Sequence, residues 1–299
     1  MSRLTSGPAN LPAALGEATG LRFNDEPSAG VAGGCINECL RWETSGGAVF
    51  VKLGPVARLA MFDAESEGLR ELEAAHAIRV PRVLGCGATT SHAFLVLEWM
   101  DFGAGSARSE ALLGERLAAQ HRVTRPRFGW HRDNTIGSTP QLNEWNADWP
   151  RFYVERRLRF QLALAERNSH GGRLTERGYR LCETVPAYFS GYRPAPSLLH
   201  GDLWCGNWAA TNAGEPVIFD PAVYFGDREA DLAMTRLFGG FGPDFYAAYQ
   251  SSWPLDPGAG NRRDLYNLYH VLNHLNLFGG GYRSQALSMI DGLLASASG

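Results

Sequence analysis

Apolar and polar positions alternate singly through AVFVKLG, residues 48–54, which places Phe50 and Lys52 on one face of an extended segment and Val49, Val51 and Leu53 on the other. This period of two predicts a strand. The preceding run VAGGCINECLRWE reads as a second strand, joined to the first by a turn at Ser45, Gly46 and Gly47. The pattern then becomes helical, since MFDAESEGLRELEAAHA sets Leu69 and Leu72 three residues apart among good helix formers and Pro81 ends the segment. RVLGCG and AFLVLEWM return to strand character, and residues 11–19 form a short helix ahead of the whole block. The predicted order over the first hundred residues is strand, strand, strand, helix, strand, strand, provided that the glycine-rich segment folds into two strands around a loop.

DFGAGSARS, rich in Gly and Ser, is the best candidate linker and puts a boundary near residue 101, with one domain over 1–100 and a second over 101–299. Beyond it, segments 109–122, 148–167, 173–190, 228–238, 243–252 and 261–278 have helical composition. SLLHGDLW and PVIFDPAV are short apolar runs that end at acidic residues. The chain shows no internal repeat and no low-complexity tract. A sheet-bearing first block followed by a mostly helical remainder is an α+β arrangement.

Composition narrows the class. With 299 residues the chain can bury one large core or two modest ones without disulfides or structural metal. Hydrophobic residues at 44% and charged residues at 20% are ordinary globular values, and no apolar stretch is long enough to cross a bilayer, so no membrane partner is expected. The first twenty residues are broken by Pro8 and Pro12 and do not read as a secretory signal, which points to a cytoplasmic location. A net charge of −3 and a pI near 6.2 argue against a nucleic-acid partner. Cys35, Cys39, Cys86, Cys182 and Cys205 are odd in number and scattered, which suits thiols in a reducing compartment better than a disulfide framework or a zinc site.

The chemistry concentrates in LLHGDLWCGN and VIFDP. Asp202, Asn207 five positions later and Asp220 at the end of an apolar run match the spacing of a phosphoryl-transfer site. In that chemistry Asp202 accepts the proton of a substrate hydroxyl, while Asn207 and Asp220 offer the hard oxygen ligands that Mg2+ prefers. Isolated Asp-Gly or Asp-Pro pairs are usually turns, and the order and register of all three residues count against that bland reading here.

The first block supplies matching parts. Lys52 on a strand, ahead of a helix that carries Glu65, fits the lysine–glutamate pair that positions ATP phosphates. Glu65 is preferred to Glu67 because it lies four residues before Leu69 and shares its inward face. Gly33, Gly34, Cys35, Ile36 and Asn37 form a candidate phosphate-covering loop, although the full G-x-G-x-x-G pattern is missing. Glu98 and Met100, at the end of the last strand of the block, are the candidate hinge whose backbone meets adenine.

These residues resemble the fructosamine-kinase or ketosamine-3-kinase family, relatives of the aminoglycoside and choline phosphotransferases. The resemblance runs over nearly the whole chain, through GGCINEC, VFVK, FGWHRDNTIGSTPQ, ERRL, LLHGDLWCGNW, VIFDPAVYFGDREADLAM and LYNLYHVLNHLNLFGGGY. It implies a bilobal protein-kinase-like fold, with an antiparallel-sheet N-lobe carrying one main helix and a mostly helical C-lobe. It also implies ATP-dependent phosphorylation of the 3-hydroxyl of ketosamines such as ribulosamine, erythrulosamine or fructosamine adducts of amines and of glycated protein lysines, a deglycation repair reaction. On that pattern Asp202 is the base, Asn207 and Asp220 bind the metal, and Lys52 with Glu65 positions the nucleotide. HGD replaces the HRD of protein kinases, DPA replaces DFG, and no A-P-E segment is present.

Further expectations accompany the resemblance. Trp204 is a candidate sugar platform, Asp133 and Asn134 line the acceptor side or cap a turn, and His200 and Asp231 support the loop of Asp202, Asp231 by accepting its backbone N–H groups. Cys35, in a glycine loop near phosphate-binding amides, is a candidate redox switch that forms a disulfide between two subunits. Both a monomer and a homodimer fit the sequence. His270 and His274 have a metal-like spacing but lack the Glu of H-E-x-x-H, so helix packing is the expected role. The competing activities are a kinase for another hydroxyl metabolite, such as an aminoglycoside or choline, and a nucleotide-binding pseudoenzyme.

Overall fold

The computed structural model describes residues 10–31 and 37–297. The chain divides into two compact units, one of Met1–Ser106 with Trp208–Pro221 and the other of Ala107–Asn207 with Ala222–Gly299. Along the chain, α1 (Leu11–Thr19), β1 (Ala29–Gly30), β2 (Glu38–Thr44), β3 (Gly47–Pro55), α2 (Leu59–Ala74), β4 (Val83–Ala88), β5 (His92–Glu98) and β6 (Phe102–Gly103) belong to the first unit. The second begins with α3 (Ala107–His121), β7 (Asn134–Ile136), β8 (Thr139–Gln141), α4 (Trp149–Tyr153), α5 (Arg159–Arg167), α6 (Arg173–Thr184) and β9 (Ser197–Leu199). β10 (Trp208–Thr211) and β11 (Pro216–Ile218) return to the first unit. β12 (Tyr224–Gly226), α7 (Glu229–Leu237), α8 (Pro243–Ser252), α9 (Ala259–Phe278) and α10 (Gly281–Ser296) complete the second.

In the first unit the main sheet runs in the order β1-β2-β3-β5-β4 among the described residues, with neighbouring strands antiparallel. The β2–β3 hairpin closes with Thr44 opposite Gly47, whose φ of 105° is open to glycine and hostile to other residues. Because side chains alternate across a strand, Val49, Val51 and Leu53 share a face with Leu40, Trp42, Phe94 and Val96, and α1 covers that face with Ala14 and Leu15. Lys52 lies on the opposite face with its cross-strand partners Cys39 and Leu95. α2, which packs on β4 and β5, buries Phe62, Leu69 and Leu72.

The structure departs from a single boundary near residue 101. The first unit continues to Ser106 and takes the chain back at Trp208. The reason is strand pairing: β10 pairs antiparallel with β6, Ala210 opposite Gly103, and with β11, Trp208 opposite Ile218. Ile218 also donates its N–H to the Arg79 carbonyl at 3.0 Å. VIFDP is therefore anchored to the block that carries Lys52.

The second unit packs α3 on α8, and α9 on α5, α7 and α10. The expected helix over 148–167 is interrupted by a π-helical turn, Val154–Leu158, that turns Arg157 inward. Its buried guanidinium donates to the Leu142 carbonyl at 2.5 Å and to Asn143 Oδ1 at 2.8 Å, and lies over the rings of Tyr224 and Phe152 at 4.2 and 4.8 Å. α10 is a helix that the sequence reading did not anticipate.

A buried polar cluster precedes α7. Arg262 holds both oxygens of Glu229, at 2.7 and 2.9 Å, and Asp256 at 2.7 Å. Asp227 accepts from the hydroxyls of Tyr266 and Tyr192 at 2.5 and 3.0 Å and from the Glu229 N–H at 3.0 Å. Burial and the nearby Glu229 push the Asp227 carboxyl up to about 7 against those donors. The folded chain thus keeps a proton that the unfolded chain loses above 3.8, so this group's contribution to stability declines as pH rises from about 4 to about 7. Asp227→Asn removes the titration. The melting temperature of the variant relative to wild type is expected to rise across that window and level off above it; a difference independent of pH would contradict the assignment.

Candidate active site

In the first unit β3 carries Lys52 into the interior, where its Nζ meets Glu65 Oε1 of α2 at 2.6 Å and Asp220 Oδ1 at 2.7 Å. A buried ammonium is tolerated only when it is paired and hydrogen-bonded. Burial works against its charge, but the two carboxylates prevail and hold the Lys52 pKa above that of an ordinary lysine. Burial also pushes the Glu65 carboxyl up, with Lys52 opposing and Asp220 reinforcing the shift. Asp220 has a φ of 57°, a left-handed conformation that costs most residues energy and that Asp accepts more readily. Its side chain keeps 42% of its surface exposed while it pairs with Lys52.

In the second unit β9 delivers the loop that carries Asp202. Asp231, buried on α7, accepts the His200 N–H at 2.7 Å, the Gly201 N–H at 2.9 Å and His121 Nε2 at 3.2 Å. Burial opposes the charge of Asp231, yet these donors hold its carboxyl below the usual range. Gly201 has a φ of 84°, and a Cβ there would come within 2.0 Å of the Ala222 carbonyl oxygen, so the arginine of an HRD sequence has no room in this loop. Asp202 is half-buried and donates its N–H to Nδ1 of the buried His200 at 3.3 Å. Asn207 donates Nδ2 to the Asp202 carbonyl at 2.8 Å, which orients the amide.

The family model for fructosamine kinase matches residues 9–296. The chain belongs to the fructosamine kinase family. It is 46% identical to a Synechocystis protein named a probable ketoamine kinase, over 92% of this chain and 93% of that one. It is 45% identical to a chloroplastic protein-ribulosamine 3-kinase of Arabidopsis thaliana, over 88% and 81% of the two chains. A solved structure from Haemophilus somnus, whose assigned activity is fructosamine-3-kinase, superposes with a TM-score of 0.87 at 28% identity and covers 95% of this chain and 97% of its own. The fold is the α+β, protein-kinase-like one.

The other residues singled out from sequence fall into distinct settings in this fructosamine kinase family member. Gly33, Gly34, Cys35 and Ile36, and with them the redox role expected of Cys35, lie outside the described residues. Asn37 Oδ1 accepts from Arg58 Nη1 at 2.5 Å. The Glu98 N–H goes to the Arg82 carbonyl at 2.9 Å, and its carboxylate to the Arg82 N–H and to Arg79; Met100 follows half-buried beyond the strand. Asp133 is exposed and accepts the Asn143 N–H at 2.7 Å. Asn134 is buried, donating to the Val223 carbonyl at 2.8 Å and accepting from Gln141 and Asn143 at 2.9 and 2.8 Å. These bonds tie Asn134 to β8, Asn143 and the Val223 carbonyl. Trp204 is 38% exposed and packs over Gly206, where a Cβ would come within 2.4 Å of the indole.

Sequence reasoning missed the neighbours of that indole. Phe238 meets Trp204 edge-on at 6.2 Å between ring centroids, and His274 lies 4.9 Å from Phe238. His274 donates Nδ1–H to the His270 carbonyl at 2.8 Å, and burial lowers its pKa. Among the described residues no group of three or more His, Cys, Asp or Glu is placed to hold a metal.

Lys52→Met leaves Glu65 and Asp220 without their cation. Stability in urea is expected to fall by about 3 kcal/mol, the scale of a broken buried pair. Lys52→Met/Glu65→Gln should recover much of that loss without recovering activity, and equal stability of the single and double variants would refute the pairing as its cause.

Proposed function

We propose that this chain transfers the γ-phosphoryl group of ATP to the 3-hydroxyl of ketosamines, free or on glycated protein lysines, in a reducing cytoplasm. The observation that carries the reading is Lys52, held charged between a helix glutamate and the aspartate of DPA, at 2.6 and 2.7 Å. Family membership and relatives named as ketoamine and ribulosamine kinases support the choice of acceptor.

Each residue has a role on this reading. Lys52, oriented by Glu65, neutralises nucleotide phosphate oxygens. Asp202 accepts the proton as the substrate hydroxyl oxygen bonds to the γ-phosphorus and the bond to the ADP oxygen breaks. Each residue taken by itself suits Mg2+: the Asp220 carboxylate is exposed and the Asn207 amide is fixed through its nitrogen, and both would offer the hard oxygen that this ion prefers. When bound, the metal neutralises phosphate charge. Trp204, with Phe238 beside it, offers apolar faces to the C–H side of a sugar.

The direct test is product analysis by NMR after incubation with ATP, Mg2+ and a mixture of ribulosamine, erythrulosamine, fructosamine and an aminoglycoside. A phosphate ester on the third carbon of the ketosamines is expected; phosphorylation confined to the aminoglycoside would refute the proposal. Trp204→Ala should raise the ketosamine KM about 3- to 10-fold, the worth of one aromatic contact, and leave the ATP KM unchanged. An equal rise in both constants would remove Trp204 from the acceptor site.

A further inference from the structure

Behind the loop of Asp202, four buried side chains form a hydrogen-bond chain that runs one way. Arg228 Nη1 donates to the Tyr249 hydroxyl at 3.2 Å. That hydroxyl lies 2.9 Å from His121 Nδ1, and His121 Nε2 lies 3.2 Å from Asp231 Oδ2. Asp231 in turn receives the His200 and Gly201 N–H groups. Arg228 and Asp231 flank the start of α7, Tyr249 sits on α8 and His121 is the last residue of α3. All four are at least nine-tenths buried.

The chemistry of the ends fixes the direction. A guanidinium can only donate, and an ionised carboxylate can only accept. Burial lowers the His121 pKa, so the ring is uncharged at neutral pH; Tyr249 then passes its proton toward Nδ1 and His121 carries its own proton on Nε2. The other tautomer would turn a lone pair toward the Asp231 carboxylate and an N–H toward a hydroxyl already receiving one from Arg228, which is costly in a dry interior. Arg228 is itself fixed: it donates to the Trp253 and Pro254 carbonyls at 2.8 and 2.6 Å and stacks 3.9 Å over the Trp253 ring.

We infer that Tyr249 is a positioning residue for phosphoryl transfer, whose hydroxyl, by donating to Nδ1, holds the His121 ring so that Nε2–H stays on Asp231 and keeps that carboxylate aligned on the two amides that set the Asp202 loop. The inference rests on the proposed role of Asp202, but the state of the His121 ring can be read without any turnover. A hydroxyl that merely filled space would leave the His121 ring resonances and kcat unchanged when removed.

The test combines spectroscopy with kinetics on the full chain. Long-range proton–nitrogen NMR of histidine-labelled wild type is expected to show His121 neutral with its proton on Nε2. A proton on Nδ1 would overturn the inference at once. Tyr249→Phe removes one oxygen and leaves Nδ1 without its donor; it should shift the His121 ring nitrogen and Nε2–H resonances and lower kcat about 10-fold, less than the 100-fold that a 1 Å misplacement can cost, with the ATP KM within about twofold of wild type. An unchanged kcat in Tyr249→Phe, or a loss that accompanies a lower melting temperature with the His121 resonances unmoved, would overturn the inference and leave Tyr249 a packing role. Full turnover by a protein without the Asp202 carboxylate would instead remove the functional reading and leave the tautomer result standing.

Discussion

A carboxylate in a protein interior survives as an anion only where fixed donors replace the water it has lost. Asp231 meets that condition with two backbone amides and a histidine, all within 3.2 Å. The constraint works in both directions, because the same bonds that keep Asp231 charged also fix the backbone of His200 and Gly201 immediately before Asp202. Gly201 follows from it. A loop drawn this close to Ala222 leaves no space for a side chain, and its positive φ favours glycine. The proposed base, Asp202, is thus set by buried electrostatics several bonds away from its carboxylate.

The first unit solves the opposite problem with the same physics. There the buried charge is a cation, and Glu65 and Asp220 stabilise it from two segments far apart in the chain. Lys52 and its partners are ordered by their mutual attraction, which on the proposed reading leaves little reorganisation for nucleotide binding. Asp220 reaches this place because β10 and β11 pair back onto β6. Its left-handed backbone carries some conformational cost, and its exposed carboxylate suits the metal-binding role proposed for it.

Much of this was legible in the sequence because it depends on local periodicity. The alternation around Lys52 gave its inward face, the apolar spacing on α2 favoured Glu65 over Glu67, and the Asp202, Asn207 and Asp220 spacing pointed to the chemistry. What escaped depends on contacts between distant segments. β6 and β10 are two and four residues long, too short to carry a periodic signal, and they pair across about a hundred residues. α10 follows a run of three glycines that reads as a stop, and its Ser and Gly content weakens the helical pattern. The buried partners of Asn134, which are Gln141, Asn143 and Val223, could not be read either, because only the fold draws them together. His121 and Tyr249 lie 128 positions apart, and no spacing rule connects them.

The central claim is that the Asp202 carboxylate removes a proton from the acceptor hydroxyl in a site whose nucleotide end is organised independently. Steady-state turnover of a ribulosamine by Asp202→Asn, with the ATP dissociation constant measured on the same preparation, tests it most directly. The account predicts a fall in kcat of about 100-fold or more, the scale of a general base, with ATP affinity within about twofold of wild type. Turnover at the wild-type rate would contradict it.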